Sequence, residues 1–90
     1  MDDFVLPLLK ARKGISSESR DPLLKAIIKG IIDDCRTTHG IVLDKDNGHH
    51  VIFVLDWATW KYSHPEDGTT PRSIQFRLHN LVIREGAKHE

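Results

Sequence analysis

Cys35 and His39 stand one helical turn apart, and a thiol beside an imidazole is the raw material of nucleophilic catalysis. Such a pair also needs an oriented third group and donors for an oxyanion, and no glycine-rich loop or nucleophile elbow supplies them. Asp33 and Asp34 are adjacent, so on a helix their carboxylates splay apart and do not share a substrate. Together with His49 and His50, Cys35 and His39 suggest zinc, but there is no second cysteine and neighbouring histidines point in different directions on a helix. The run Asp44-Lys45-Asp46-Asn47-Gly48 resembles the start of a calcium loop. Counted from Asp44, however, glycine falls one place early, and Leu55 stands where the bidentate glutamate belongs. These residues read as a solvated turn in which Asp44 or Asn47 caps the next helix, with Cys35 a small core hydrophobe. No catalytic residue, metal ligand or cofactor is expected, and the chain is not expected to be an enzyme.

The elements that carry these residues follow from helical punctuation. Ninety residues make one domain, with ordinary hydrophobic (39%) and charged (29%) fractions for a globular chain. The expected fold is all-α: a bundle of about four helices over residues 4–13, 22–39, 49–62 and 71–85, with a flexible tail at 86–90. Gly14 and Gly40 stop the first and second helices. Asp21-Pro22 and Thr70-Pro71 each pair a cap with a proline suited to a first turn. Pro7 fits a first turn and not an interior, so the first helix begins near Phe4 or at Pro7 itself. Leu23, Leu24, Ile27, Ile28, Ile31, Ile32 and Cys35 spread over half the second helix and make it the expected central one. Ile41-Val42-Leu43 forms a short extended segment that plugs the bundle. Glu66-Asp67-Gly68 is an exposed loop.

The third helix carries two apolar stripes. At about 100° per residue, Val51, Val54, Leu55, Ala58 and Tyr62 share one face, and Phe53, Trp57 and Trp60 share another nearly opposite. Either the helix is buried all round, or it faces its own core on one side and a neighbouring subunit on the other. The last helix repeats the pattern: Ile74, Leu78, Leu81 and Val82 form its main face, and Phe76 and Ile83 form a second stripe. Two spare stripes in so short a chain favour a subunit interface built from Phe53, Trp57, Trp60, Phe76 and Ile83. Arg72, Arg77 and Arg84 line the last helix as a solvated face, or as a contact for an acidic partner or for DNA phosphates.

Thirteen basic and thirteen acidic side chains cancel, which argues against a dedicated nucleic-acid binder. One cysteine precludes an internal disulfide and suits a reducing compartment. No apolar run is long enough for a membrane span, and Asp2-Asp3 does not open a secretory signal, so a cytoplasmic protein is expected.

Read in order, Leu8-Leu9-Lys10, Gly14-Ile15, the helix from Asp21 through Leu24, Ile27-Ile28 and Ile31, Gly40-Ile41, Asp56-Trp57-Ala58 with Trp60-Lys61-Tyr62, and Pro71-Arg72-Ser73-Ile74-Gln75-Phe76-Arg77-Leu78-His79-Asn80-Leu81 resemble the head–tail connector (head-completion adaptor) proteins of tailed bacteriophages and prophages. The resemblance spans nearly the whole chain, and its most distinctive part is Pro71 to Leu81. It implies a mainly helical, non-catalytic virion protein that assembles into a ring of about a dozen subunits. Such a ring sits between the portal and a tail-side head-closure protein, and packaged DNA passes through it. The free subunit is then a monomer in the host cytoplasm before assembly, with the portal nucleating the ring. Two features depart from the pattern. The chain stops soon after its last helix, so a longer C-terminal arm is expected to be absent or reduced, and zero net charge gives no obvious channel lining. The alternatives are a small helix-turn-helix DNA-binding or regulatory protein, and a small host-directed interaction protein. For the first, the stretch from Gly40 to Gly48 is long, since that motif turns in about 3–4 residues.

Overall fold

A computed structural model describes residues 1–66 and 68–88, with side chains described through residue 84. Four helices follow one another: α1 (Asp2–Lys13), α2 (Asp21–His39), α3 (Gly48–Ser63) and α4 (Arg72–Lys88). No strand occurs among the described residues, so the fold is an all-α bundle. No helix among them is long and apolar enough to cross a membrane.

The helix ends follow local chemistry. Gly14 and Gly40 adopt φ of 69° and 67°, the left-handed conformation that closes a helix at low steric cost in glycine. Beyond each, the chain bonds back into the helix it has left: Ile15 N–H to the Lys10 carbonyl and Ile41 N–H to the Cys35 carbonyl, both at 2.9 Å. Asn47 opens α3, its Oδ1 accepting the backbone N–H groups of His49 (3.0 Å) and His50 (3.3 Å). Asn47→Ala is expected to lower stability by about 1 kcal/mol, read as a shift of the urea midpoint at unchanged slope. Asp44 does not cap the helix; its Oδ1 closes the turn by accepting the Asp46 N–H at 2.9 Å.

Three boundaries differ from expectation. α1 begins at Asp2, so Pro7 lies inside it, on an exposed side where the missing N–H disrupts no packed contact. Asp21 is not the cap of α2. It is the first helical residue, and its carboxylate pairs with Lys10 at 2.8 Å, tying α2 to α1. α4 continues past Gly86 to Lys88, where a flexible tail was expected. Residues 89–90 of that tail, and Asp67 of the expected loop, lie outside the described residues.

The centre of the bundle is α3, not α2. It buries His50, Val51, Phe53, Val54, Leu55, Trp57 and Ala58, and it packs against all three other helices. α1 and α2 pack on each other and on one side of α3, enclosing Val5, Leu9, Leu24, Ile28, Ile31 and Cys35. α4 packs mainly on α3, burying Ile74 and Leu81 with Leu78 partly covered. Ile41 plugs the core as expected and is wholly buried, whereas Val42 is 70% exposed. Apart from His50, the buried set is apolar, so the hydrophobic effect supplies most of the driving force.

Candidate functional site

Most of the face of α3 expected at a subunit interface is covered by the chain itself. Phe53 is 1% and Trp57 4% exposed, enclosed by the chain's own helices. Their rings pack at 5.5 Å and 60°, and the Arg77 guanidinium lies 5.5 Å from the Phe53 ring centre. Both residues are therefore core, and their assignment to a subunit interface is corrected. α4 uses its Ile74, Leu78 and Leu81 face to cover a second side of α3. Trp60 is half-buried, stacked on His64 at 4.7 Å, and it borders a shallow groove with Leu23 and Ile27.

The second stripe of α4 remains open. Phe76 is 66% and Ile83 56% exposed, two turns apart on the side away from the core, with exposed His79 between them. Arg72 and Arg84 flank this stripe. Neither has a carboxylate within ion-pair distance among the described residues. A cleft of about 170 Å³ runs beside it where α4 meets the start of α3, lined by His49, Phe53, Arg77, Asn80, Leu81 and Arg84.

Arg77 is not free for a partner or for DNA, which corrects its expected role. Its Nη1 donates to Asp56 Oδ2 at 2.6 Å, while Arg12 Nη1 donates to Asp56 Oδ1, also at 2.6 Å. One carboxylate on α3 thus clamps α1 and α4 at once. Burial pushes the Asp56 carboxyl up, but the hydrogen bonds and charges of Arg12 and Arg77 outweigh that and hold it below its usual range. The sequence does contain a signal for this clamp. Asp56 is the sole acid between Gly48 and Ser63, placed between two apolar stripes where a lone carboxylate needs partners.

The residues that suggested chemistry have structural positions. Cys35 is fully buried. Burial, helped by Asp34 and opposed by Lys61, pushes its thiol up to about 11, so it stays protonated near neutral pH. Thiol-reactive probes are expected to label Cys35 in the native protein at least a hundredfold more slowly than in urea, on the order of the opening equilibrium of a buried site. His50 is buried, and its Nδ1 accepts the Asp44 N–H at 2.9 Å, pinning the 41–47 connection to α3. Lys13 and Arg20 both lie over the Tyr62 ring, and Arg20 also donates to the Tyr62 hydroxyl. These cations gather where α1 and α3 end, and helix C-termini attract positive charge. No group of His, Cys, Asp and Glu suited to a metal ion occurs among the described residues. In the helix-turn-helix alternative α3 would be the recognition helix. Here the other three helices cover it, leaving Ile52 as its exposed large apolar side chain.

Comparison with protein-family models, with curated proteins and with solved structures finds no match to this chain.

Proposed function

We propose that this chain is a non-catalytic building block of a larger assembly, the subunit of a head–tail connector ring between a phage portal and the tail-side closure protein. The supporting observation is the open stripe of Phe76 and Ile83 on α4. Two large hydrophobic side chains held outward on a regular helix cost solubility and contribute nothing to the core, which is how an interface anchor is built. The stripe lies within the Pro71–Leu81 segment and just beyond it, where the resemblance to connector proteins is most distinctive. Assembly is then a matter of surfaces. α1, α2 and α3 form the rigid body, the Asp56 clamp holds α4 against it, and α4 presents the docking face.

Light scattering of the purified chain, alone and with a co-expressed portal protein, tests this reading. The wild type is expected to enter a portal-sized complex. The double variant Phe76→Ser, Ile83→Ser is expected to keep its helicity and melting temperature within about 3 °C, because exposed sites contribute little to stability. It should leave the complex. A wild type that never joins the portal, or a double variant that joins it as well, overturns the proposal.

A further inference from the structure

The cleft between α4 and the start of α3 is lined by cations and hydrogen-bond donors, and by no carboxylate among the described residues. Arg77, Asn80, Leu81 and Arg84 stand at helical spacing along α4, which places them on one face. His49, the second residue of α3, forms the facing wall near the positive end of that helix's dipole. The Asn80 amide, the Arg84 guanidinium and the His49 imidazole have no hydrogen-bond or ion-pair partner among the described residues. Asn80 is also half-buried, so its donors are partly withdrawn from water with nothing in the chain to receive them.

The charge beside the cleft is one-sided. Arg12 and Arg77 share the single Asp56 carboxylate, so that cluster keeps one net positive charge. Arg84 adds a second. Asp56 is the sole acid of α3, and none occurs from Gly68 to Arg84; the side chain of Glu85 lies outside the described residues. Arg77 itself stays bonded to Asp56, so it supplies field and not a bond to a ligand. The floor is of another kind, because Phe53 and Leu81 offer only carbon. A void of roughly 150 Å³ holds a benzene ring, and this cleft measures about 170 Å³. Guanidinium and carboxamide groups present planar donors that match a planar carboxylate, whereas a tetrahedral phosphate leaves the carbon floor without a partner.

We propose that this cleft binds a carboxylate carried on an apolar body the size of a benzene ring, with Arg84 as its charge partner and Asn80 as its neutral donor. A free small acid and the last residue of another polypeptide both present that chemistry. Neither requires a portal, so the proposal goes beyond the assembly reading and does not depend on it.

Titration of the full chain with sodium benzoate, followed by amide NMR at fixed ionic strength, tests this. The amides of His49, Phe53, Asn80 and Leu81 are expected to shift together and saturate, with a dissociation constant of about 1 mM. Benzamide has the same shape without the charge and should bind about tenfold more weakly or worse. Arg84→Gln should weaken benzoate binding about tenfold, whereas Arg72→Gln, on α4 but off the cleft, should change it by less than about twofold. N-acetylphenylalanine separates the two sources: binding tighter than benzoate assigns the cleft to a polypeptide C-terminus, and weaker binding assigns it to a free acid. The proposal is overturned if the shifts fail to saturate at roughly ten times the expected dissociation constant. It is also overturned if benzamide or inorganic phosphate binds as tightly as benzoate, or if Arg84→Gln loses no more than Arg72→Gln. Parity with phosphate would mark a bare anion site of the kind a nucleic-acid backbone fills. None of these readouts depends on whether the chain joins a portal, so the two readings fail separately.

Discussion

Trp57→Ala is expected to destabilise this domain by about 3–5 kcal/mol, the cost of removing a large aromatic from a closed core. A chain of this length has roughly 5–13 kcal/mol of stability in total, so the variant sits near the edge of folding. Its melting temperature should fall by roughly 12–40 °C. Phe53→Ala belongs to the same class, because Phe53 is equally enclosed and packs at a tilt against Trp57. The two losses should not add, since the rings share a cavity. Trp57→Phe is the informative control. The indole N–H finds no acceptor among the described residues, so replacing it forfeits no hydrogen bond and costs about 1 kcal/mol of packing. Thermal melts of the three variants check this ordering. If Trp57→Ala instead melts like the wild type but fails to assemble, the ring belongs to an interface after all.

Asp56→Ala is the second large effect, expected at about 2–3 kcal/mol. It removes two charge-assisted hydrogen bonds and leaves Arg12 and Arg77 crowded around a missing counter-charge. The figure is kept below the sum of two such bonds because all three side chains are about one-third exposed and partly screened by water. The pH dependence has a definite sign. The Asp56 carboxyl titrates below its ordinary range in the folded protein, so its stabilisation is complete above about pH 4 and is lost as pH falls through the depressed value. The stability difference between wild type and Asp56→Ala, from urea titrations at a series of pH values, should be constant near neutrality and shrink toward zero in acid. A difference that persists unchanged at low pH would mean that packing, not charge, is what the carboxylate supplies. Because Asp56 is a polar link from α3 to α4, the variant should also expose α4 to faster hydrogen exchange before the other helices.

What the sequence determined by itself is the set of elements and their ends. Gly14, Gly40, Asn47 and the spacing of leucine and isoleucine act through bonds and sterics within a few residues, and four helices follow within a residue or two of most expected limits. The same locality explains the misplaced start of α1: a proline constrains its own turn, but whether the chain ahead of it is helical depends on contacts such as Met1 and Val5 packing on the core. Periodicity also revealed that α3 has two apolar faces. It could not reveal what covers them. Phe53 and Trp57 carry the same helical pattern whether α4 or a second subunit lies against them, because a stripe records that a face shuns water and not which surface meets it. Only the tertiary structure decided that, by folding α4 back so that Ile74 and Leu81 close over α3. It also joined Arg12, Asp56 and Arg77, which are far apart along the chain and meet only after α1 and α4 pack on α3. The surplus apolar surface thereby moved outward from Trp57 to Phe76 and Ile83, since each helix added to a bundle covers one face and exposes its own far side.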